Sequence, residues 1–309
     1  DSDLHVLEPS DIYERYLEEP FRSRAPRKER AHLSGIEKWV VDDHSLPYWA
    51  DEPEAHKADF ALRGKKEKTP FQVKAFESKF DASTTVEAMD IEGVDVAILY
   101  RTVAGMLAQA FDVLEPEFLT ALCRAYNNWM KDYCDFNPDR LKGVAMISLA
   151  DIDGAVEEVK RAVQELGFWG ISVHPDPIYG RIMYDPEVEP FWEECERQNV
   201  SVGIHGTSTG VTQDDLGRKL FSHPAGRIVS RSISFPIPLM WSLAGVITSG
   251  VIERHPGLRI AFLEGNAGWL PWFLYRLDEL YHKHGYPKLE KDPSSYFQSN
   301  CFIGTDVDE

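Results

Sequence analysis

From about residue 84 onward, short apolar runs alternate with longer stretches in which apolar residues recur every three or four positions. That alternation is the pattern of repeated βα units around a parallel sheet. Val94–Tyr100 predicts a strand, and Phe118–Phe136 a helix whose apolar seam is Leu119, Leu122, Cys123, Tyr126 and Met130, stopped by Asn137-Pro138. Leu141–Ile147 predicts the next strand and Ile152–Leu166 the next helix, with Asp151 as its cap. The cycle then repeats: Phe168–Val173 leads to a helix over Glu187–Gln198, Val200–His205 to one over Pro238–Glu253, and Leu258–Glu264 to one over Gly268–His284. Cys301–Ile303 makes a final short strand, and Asp3–Val6 an opening one.

The count is seven strands, one short of the eight that close the commonest enzyme barrel. The expected fold is therefore an α/β (β/α)8 barrel of the TIM type that lacks its eighth strand within these residues, all of 1–309 forming one domain. A remnant with open edges is unfavourable, so either the barrel is incomplete here or a C-terminal piece lies beyond these residues. A long insertion, residues 21–79, separates the first strand from its helix and carries Trp39, Trp49 and many charges. In a barrel it would sit over the C-terminal face, either as a lid on substrate or as a surface excursion.

Composition narrows the function classes. Of 309 residues 43% are apolar and 27% charged, an ordinary globular profile. The net charge of −18 disfavours nucleic acid and anionic membranes, and the one dense basic run, Arg63–Lys68, is interrupted by Glu67. Cys123, Cys134, Cys195 and Cys301 form no CxxC pair and suit reduced, buried thiols. No apolar run approaches the ~18 residues of a membrane span, so a soluble, cytoplasmic chain is expected. Trp269–Tyr281 is aromatic enough for a homo-oligomer contact, or equally for core.

Several strand ends carry ionisable groups. In Asp3-Leu4-His5 the i and i+2 side chains point to one side of a strand, where a divalent cation would compensate a carboxylate beside an imidazole, unless both simply fray into water. His205 ends its strand ahead of the loop Gly206–Gly210. Together, Asp3, His5 and His205 supply three N/O ligands from strand ends, as a catalytic metal with an open position requires. Glu264, at another strand tip, could ligate or act as general base, or pair with Arg181 or Arg231. His174 is the second candidate catalytic group, although it could also cap its strand. Arg181 is a candidate carboxylate clamp and Trp269 a further substrate contact. His32, His44, His56, His223, His255, His282 and His284 read as solvated. No GxSxG elbow, P-loop or GxGxxG motif is present.

Asp1–Pro9, Val202-Gly-Ile-His-Gly-Thr207, Gly250–Arg259 and Phe262–Trp272 together resemble the amidohydrolase-related family that includes aminocarboxymuconate-semialdehyde decarboxylase. The resemblance implies a (β/α)-barrel holding one divalent metal through an HxH-like pair on the first strand, a His after the fifth and an Asp after the eighth. Asp3-x-His5 and His205 match the first two, whereas Glu264 stands where the decarboxylase has its catalytic His. Gly304-Thr-Asp306 falls at the seventh strand and does not match the final Asp. The expected cofactor is one divalent ion, zinc first, with manganese or iron as alternatives. The expected activity is hydrolysis of an amide, ester or thioester of a small carboxylated or aromatic molecule. Non-oxidative decarboxylation is the alternative, and a non-catalytic binding barrel the rival.

Overall fold

The computed structural model of the chain describes residues 1–30, 37–42, 44–45, 69–102, 113–206, 226–285 and 288–305. The described chain divides into two compact units, Asp1–Leu107 with Ala121–Gly143, and Ala108–Thr120 with Val144–Glu309.

The first unit opens with β1 (Leu4–His5) and α1 (Ile12–Tyr16), followed by three antiparallel strands, β2 (Arg27–Arg30), β3 (Glu37–Val41) and β4 (His44–Ser45). These three lie within the insertion, whose remaining residues 31–36, 43 and 46–68, with Trp49 and the basic run, fall outside the described residues. Next come α2 (Pro70–Glu77), α3 (Ala82–Glu92) and β5 (Ala97–Tyr100). A reciprocal capping box starts α2: Gln72 N donates to Thr69 Oγ1 at 3.2 Å and Thr69 N to Gln72 Oε1 at 3.0 Å. Helix α4 (Pro116–Cys134) and strand β6 (Leu141–Met146) each run from one unit into the other. The apolar seam expected on α4 is buried along its length. β1 pairs in parallel with β5, Leu4 opposite Leu99 and His5 opposite Tyr100, and β5 pairs with the start of β6.

The second unit continues from β6 through α5 (Ile152–Gln164), β7 (Gly170–Val173), α6 (Glu189–Arg197), β8 (Ser201–His205), α7 (Gly226–Ser234), α8 (Pro236–Thr248), α9 (Val251–Arg254), β9 (Arg259–Leu263), α10 (Leu270–His284), α11 (Pro293–Asn300) and β10 (Cys301–Ile303). With β6 common to both units, the ladder order is β1-β5-β6-β7-β8-β9-β10, all pairs parallel. Seven parallel strands alternating with helices are the (β/α)-barrel arrangement that the sequence predicts.

Three expectations need correction. The helix expected over Pro238–Glu253 is two helices, α8 and α9, because Gly250 takes φ +80° and breaks the turn between them. Helix α11 was not foreseen, since its eight residues carry little periodicity. His255 is buried rather than solvated: its ring nitrogens lie 3.1 Å from Glu196 and 3.0 Å from Glu189, which Arg254 also grips. On α10 no residue is buried, and Trp272 and Tyr275 are exposed. All four cysteines are free and buried, and burial pushes the thiols of Cys134 and Cys301 up to about 12. Among the described residues no helix is long and apolar enough to cross a membrane.

Asp151 caps α5 as predicted, its Oδ1 accepting from Gly154 N at 3.1 Å. Asp151→Ala is expected to lower stability by about 1 kcal/mol, read as a lower urea midpoint at unchanged slope.

Candidate active site

In the first unit, Asp3 directly precedes β1 and His5 ends it, and the parallel pairing with β5 sets His5 opposite Tyr100. His5 Nε2 lies 3.9 Å from Asp3 Oδ1. On the other side of the ring, Nδ1 lies 2.5 Å from the backbone oxygen of Arg101, which directly follows β5. A carbonyl can only accept, so Nδ1 carries a proton, and in the neutral ring Nε2 keeps its lone pair. Arg101 itself is buried and was not among the sequence candidates, although a charged residue directly after a strand was the available signal.

In the second unit, register brings three candidates to consecutive strand ends. Val173 lies opposite Ile204 and His205 opposite Leu263, so His174 and His205 stand at one level at the ends of β7 and β8, and Glu264 follows one residue beyond that level at the end of β9. His205 is buried, and its Nδ1 donates to Gly206 O at 2.9 Å, again leaving Nε2 as a lone pair. Glu264 Oε2 lies 3.4 Å from that Nε2. The partner foreseen as the alternative, Arg181, bonds elsewhere, and the side chain of Arg231 is outside the described residues.

Glu264 has φ +60°, a left-handed conformation unusual for a residue with a long side chain. A Cβ on the following Gly265 would stand 2.3 Å from Leu239 Cδ1, so a larger residue there would force the Leu239 side chain to shift. Trp269 Nε1 donates to Gly265 O at 2.8 Å, so the predicted substrate contact braces the turn that presents Glu264.

His174 is in the opposite state to the other two. Its Nδ1 accepts from the backbone N–H of Asp176 at 3.2 Å, which puts the ring proton on Nε2. Asp176 is the residue that sequence reasoning missed. Its Oδ2 lies 3.5 Å from His174 Nδ1, neither carboxyl oxygen has a hydrogen-bond partner among the described residues, and burial pushes the carboxyl up to about 7. Both residues line a cavity of about 10 Å³, room for about one water, together with Arg181 and apolar side chains of Ile147, Leu149, Ile178 and Met183.

Arg181 reaches the cavity from a tight turn in which Ile178 and Arg181 exchange backbone hydrogen bonds at 3.0 Å and Tyr179 and Gly180 take φ +53° and +72°. Its guanidinium donates to Leu149 O at 2.8 Å, Ala150 O at 2.9 Å and Glu187 Oε2 at 3.2 Å. Glu187 is mostly exposed, so that ion pair is the part of the set a ligand could displace.

The Amidohydrolase family model matches residues 38–299, most of the chain. The chain belongs to the amidohydrolase family. This amidohydrolase is 29% identical over 239 residues to a gamma-resorcylate decarboxylase of Rhodococcus jostii strain RHA1, covering 71% of this chain and 67% of that one. The crystal structure of an amidohydrolase from Mycobacterium avium subsp. paratuberculosis K-10 superposes on 100% of this chain and 83% of its own, with a TM-score of 0.77 and 21% identity. A dihydroxybenzoic acid decarboxylase from Polaromonas sp. JS666, solved with bound manganese and the inhibitor 2-nitroresorcinol, has a TM-score of 0.60 and 20% identity over 82% of this chain and 75% of its own. The amidohydrolase described here is accordingly an enzyme of that family, hydrolase or decarboxylase, on a barrel fold.

The buried carboxyl gives this amidohydrolase a stability that depends on pH. The ordinary value of 3.8 is raised to about 7, so the folded state binds more protons than the unfolded one between those limits, and stability falls as pH rises through them. Asp176→Asn, which keeps the shape and removes the charge, is expected to match the wild type at pH 4. At pH 8 it should be more stable, by at most about 4 kcal/mol, in urea titrations at the two pH values.

Proposed function

We propose that this amidohydrolase is a divalent-metal-dependent decarboxylase of a small aromatic carboxylic acid, in which Asp3, His5 and His205 hold the metal. The reading rests on one observation about protons. His5 and His205 have Nδ1 tied to a backbone carbonyl and Nε2 left as a lone pair, which is how ligating imidazoles are prepared, whereas His174, on the strand end beside His205, has its proton at Nε2. Lone pairs for a cation beside an N–H that can be given away suit a reaction that needs both. With Asp3 as carboxylate, two imidazoles and an oxygen fit a divalent ion that keeps an open position.

When bound, the metal supplies positive charge to hold the substrate's carboxylate and an adjacent oxygen. The chain's residues do the rest. The bond from ring carbon to carboxylate breaks, CO2 leaves, the electron pair stays on the carbon, and that carbon takes a proton from His174 Nε2. Glu264 faces the same edge and orients a hydroxyl of the ring. Arg181 exchanges its exposed Glu187 partner for an anionic substituent, and Trp269 keeps the Glu264 turn in place.

The similarity to a gamma-resorcylate decarboxylase over 71% of the chain favours this reading over hydrolysis, which the sequence put first. The carboxylate of Asp3 hardens the donor set, and the Polaromonas enzyme binds manganese, so we put manganese ahead of zinc, with iron third.

Metal analysis of dialysed protein followed by assay on hydroxybenzoates, aryl esters and thioesters tests the proposal. About one equivalent of metal per chain, lost in His205→Ala with a drop in kcat/KM of at least ~10²-fold, and CO2 release from a hydroxybenzoate are expected. Ester or thioester cleavage without CO2 would restore the hydrolase reading with Glu264 as base. Neither metal nor turnover would favour the non-catalytic barrel.

A further inference from the structure

We propose that Asp176 and His174 form one proton-sharing acid pair, in which the Asp176 carboxyl stores the proton that replaces the one His174 gives away. The pair itself is argued from this chain's geometry alone. The delivery of its proton to a substrate carbon rests on the decarboxylase reading above.

The tautomer of His174 poses the need. With Nδ1 accepting the Asp176 backbone N–H and the proton on Nε2, the ring is neutral, and a neutral imidazole that loses its only N–H proton becomes an imidazolate, a very unfavourable species. The ring can serve as an acid only if Nδ1 gains a proton as Nε2 loses one. A side-chain source is Asp176 Oδ2, 3.5 Å from Nδ1. A small rotation of the carboxyl closes that distance, and as Nδ1 takes the carboxyl proton it releases the Asp176 backbone N–H that it accepts at 3.2 Å in the resting state.

The surroundings suit a stored proton. Both oxygens of Asp176 are buried and have no hydrogen-bond donor that would favour the carboxylate. Around the shared cavity the charged or titratable lining groups are His174 and Arg181, and the guanidinium is directed to Leu149 O, Ala150 O and Glu187 rather than to Asp176. From α8, Trp241 Nε1 and Ser242 Oγ donate to the carbonyl of Pro175 at 3.3 and 3.4 Å, fixing the peptide between the two partners without adding charge. Burial alone carries the carboxyl up to about 7, so the protonated form is populated at neutral pH and dominates below it.

The step balances. The ring carbon receives the Nε2 proton, Nδ1 receives the carboxyl proton, and the products are CO2, the protonated arene, His174 in its other neutral tautomer and Asp176 as carboxylate. One proton from water then restores the starting state. Asp176 is thus a positioning residue that acts through His174.

The test is NMR titration of protein carrying 13Cγ-aspartate and 15N-histidine, as wild type, Asp176→Asn and Asp176→Glu, read beside kcat and KM. One carboxyl should titrate near pH 7, vanish in Asp176→Asn, and share its midpoint with a change in the His174 nitrogen shifts that the Asn variant lacks and the Glu variant restores in part. In turnover, Asp176→Asn should lower kcat ~10²-fold with little change in KM and remove the basic limb of the pH profile near 7. A carboxyl that stays ionised down to pH 5, or His174 shifts that are identical in Asp176→Asn, would overturn the pair. Coupled titration without CO2 release from any hydroxybenzoate would sustain the pair and overturn the decarboxylase reading.

Discussion

A parallel ladder allows its strands only one relation: their C-terminal ends lie on the same edge, about 4.8 Å from one strand to the next. The register makes this concrete in the second unit, where Val173 opposite Ile204 and His205 opposite Leu263 set residues 174, 205 and 264 on successive ends. Three ionisable side chains so spaced share one electrostatic environment whatever the helices between them do. In the first unit the pairing of His5 with Tyr100 does the same for β1 and brings the carbonyl of Arg101 under the imidazole.

That carbonyl illustrates a second consequence. Where a ladder ends, backbone groups lose their partners and must find others. Here Arg101 O and Gly206 O accept from His5 and His205, and Asp176 N donates to His174. The same requirement therefore sets two imidazoles with a lone pair outward and one with an N–H outward, according to whether the orphaned backbone group is an acceptor or a donor. The positive φ of Glu264 belongs to this edge as well, with Gly265 packed against Leu239 directly after it.

Much of this was legible in the sequence. Strand ends could be read because apolar runs such as Val200–His205 stop at an ionisable residue, so the candidates Asp3, His5, His174, His205 and Glu264 follow from periodicity alone. The three strands of the insertion were not legible. β2 is Arg-Lys-Glu-Arg, with no apolar alternation, and pairs locally in an antiparallel ribbon. Arg181 read as a free clamp because its partners, two carbonyls of another βα unit, leave no trace in a local pattern. Asp176 lies between Pro175 and Pro177 in what looks like a polar loop, and its burial depends on side chains from Ile147 to Met183 that only folding assembles. His255 failed for the same reason, since Glu189 and Glu196 are 66 and 59 positions away.

On the proposed decarboxylase reading, a chain of net charge −18 must bind an organic anion although each carboxylate near the site repels it. On that reading the proposed divalent cation would offset part of this, but an acid would still be needed close to the reacting carbon. A lysine or a protonated histidine would meet that need while competing with the metal for the substrate's oxygens. A neutral carboxyl does not compete, and it does not repel. Its burial lowers the stability of the folded chain above neutral pH, and the same desolvation keeps the proton on Asp176 where His174 can use it. The destabilisation and the proton store are two aspects of one free energy, which explains why a buried carboxyl without hydrogen-bond partners is tolerable at this strand end and would be a defect elsewhere in the core.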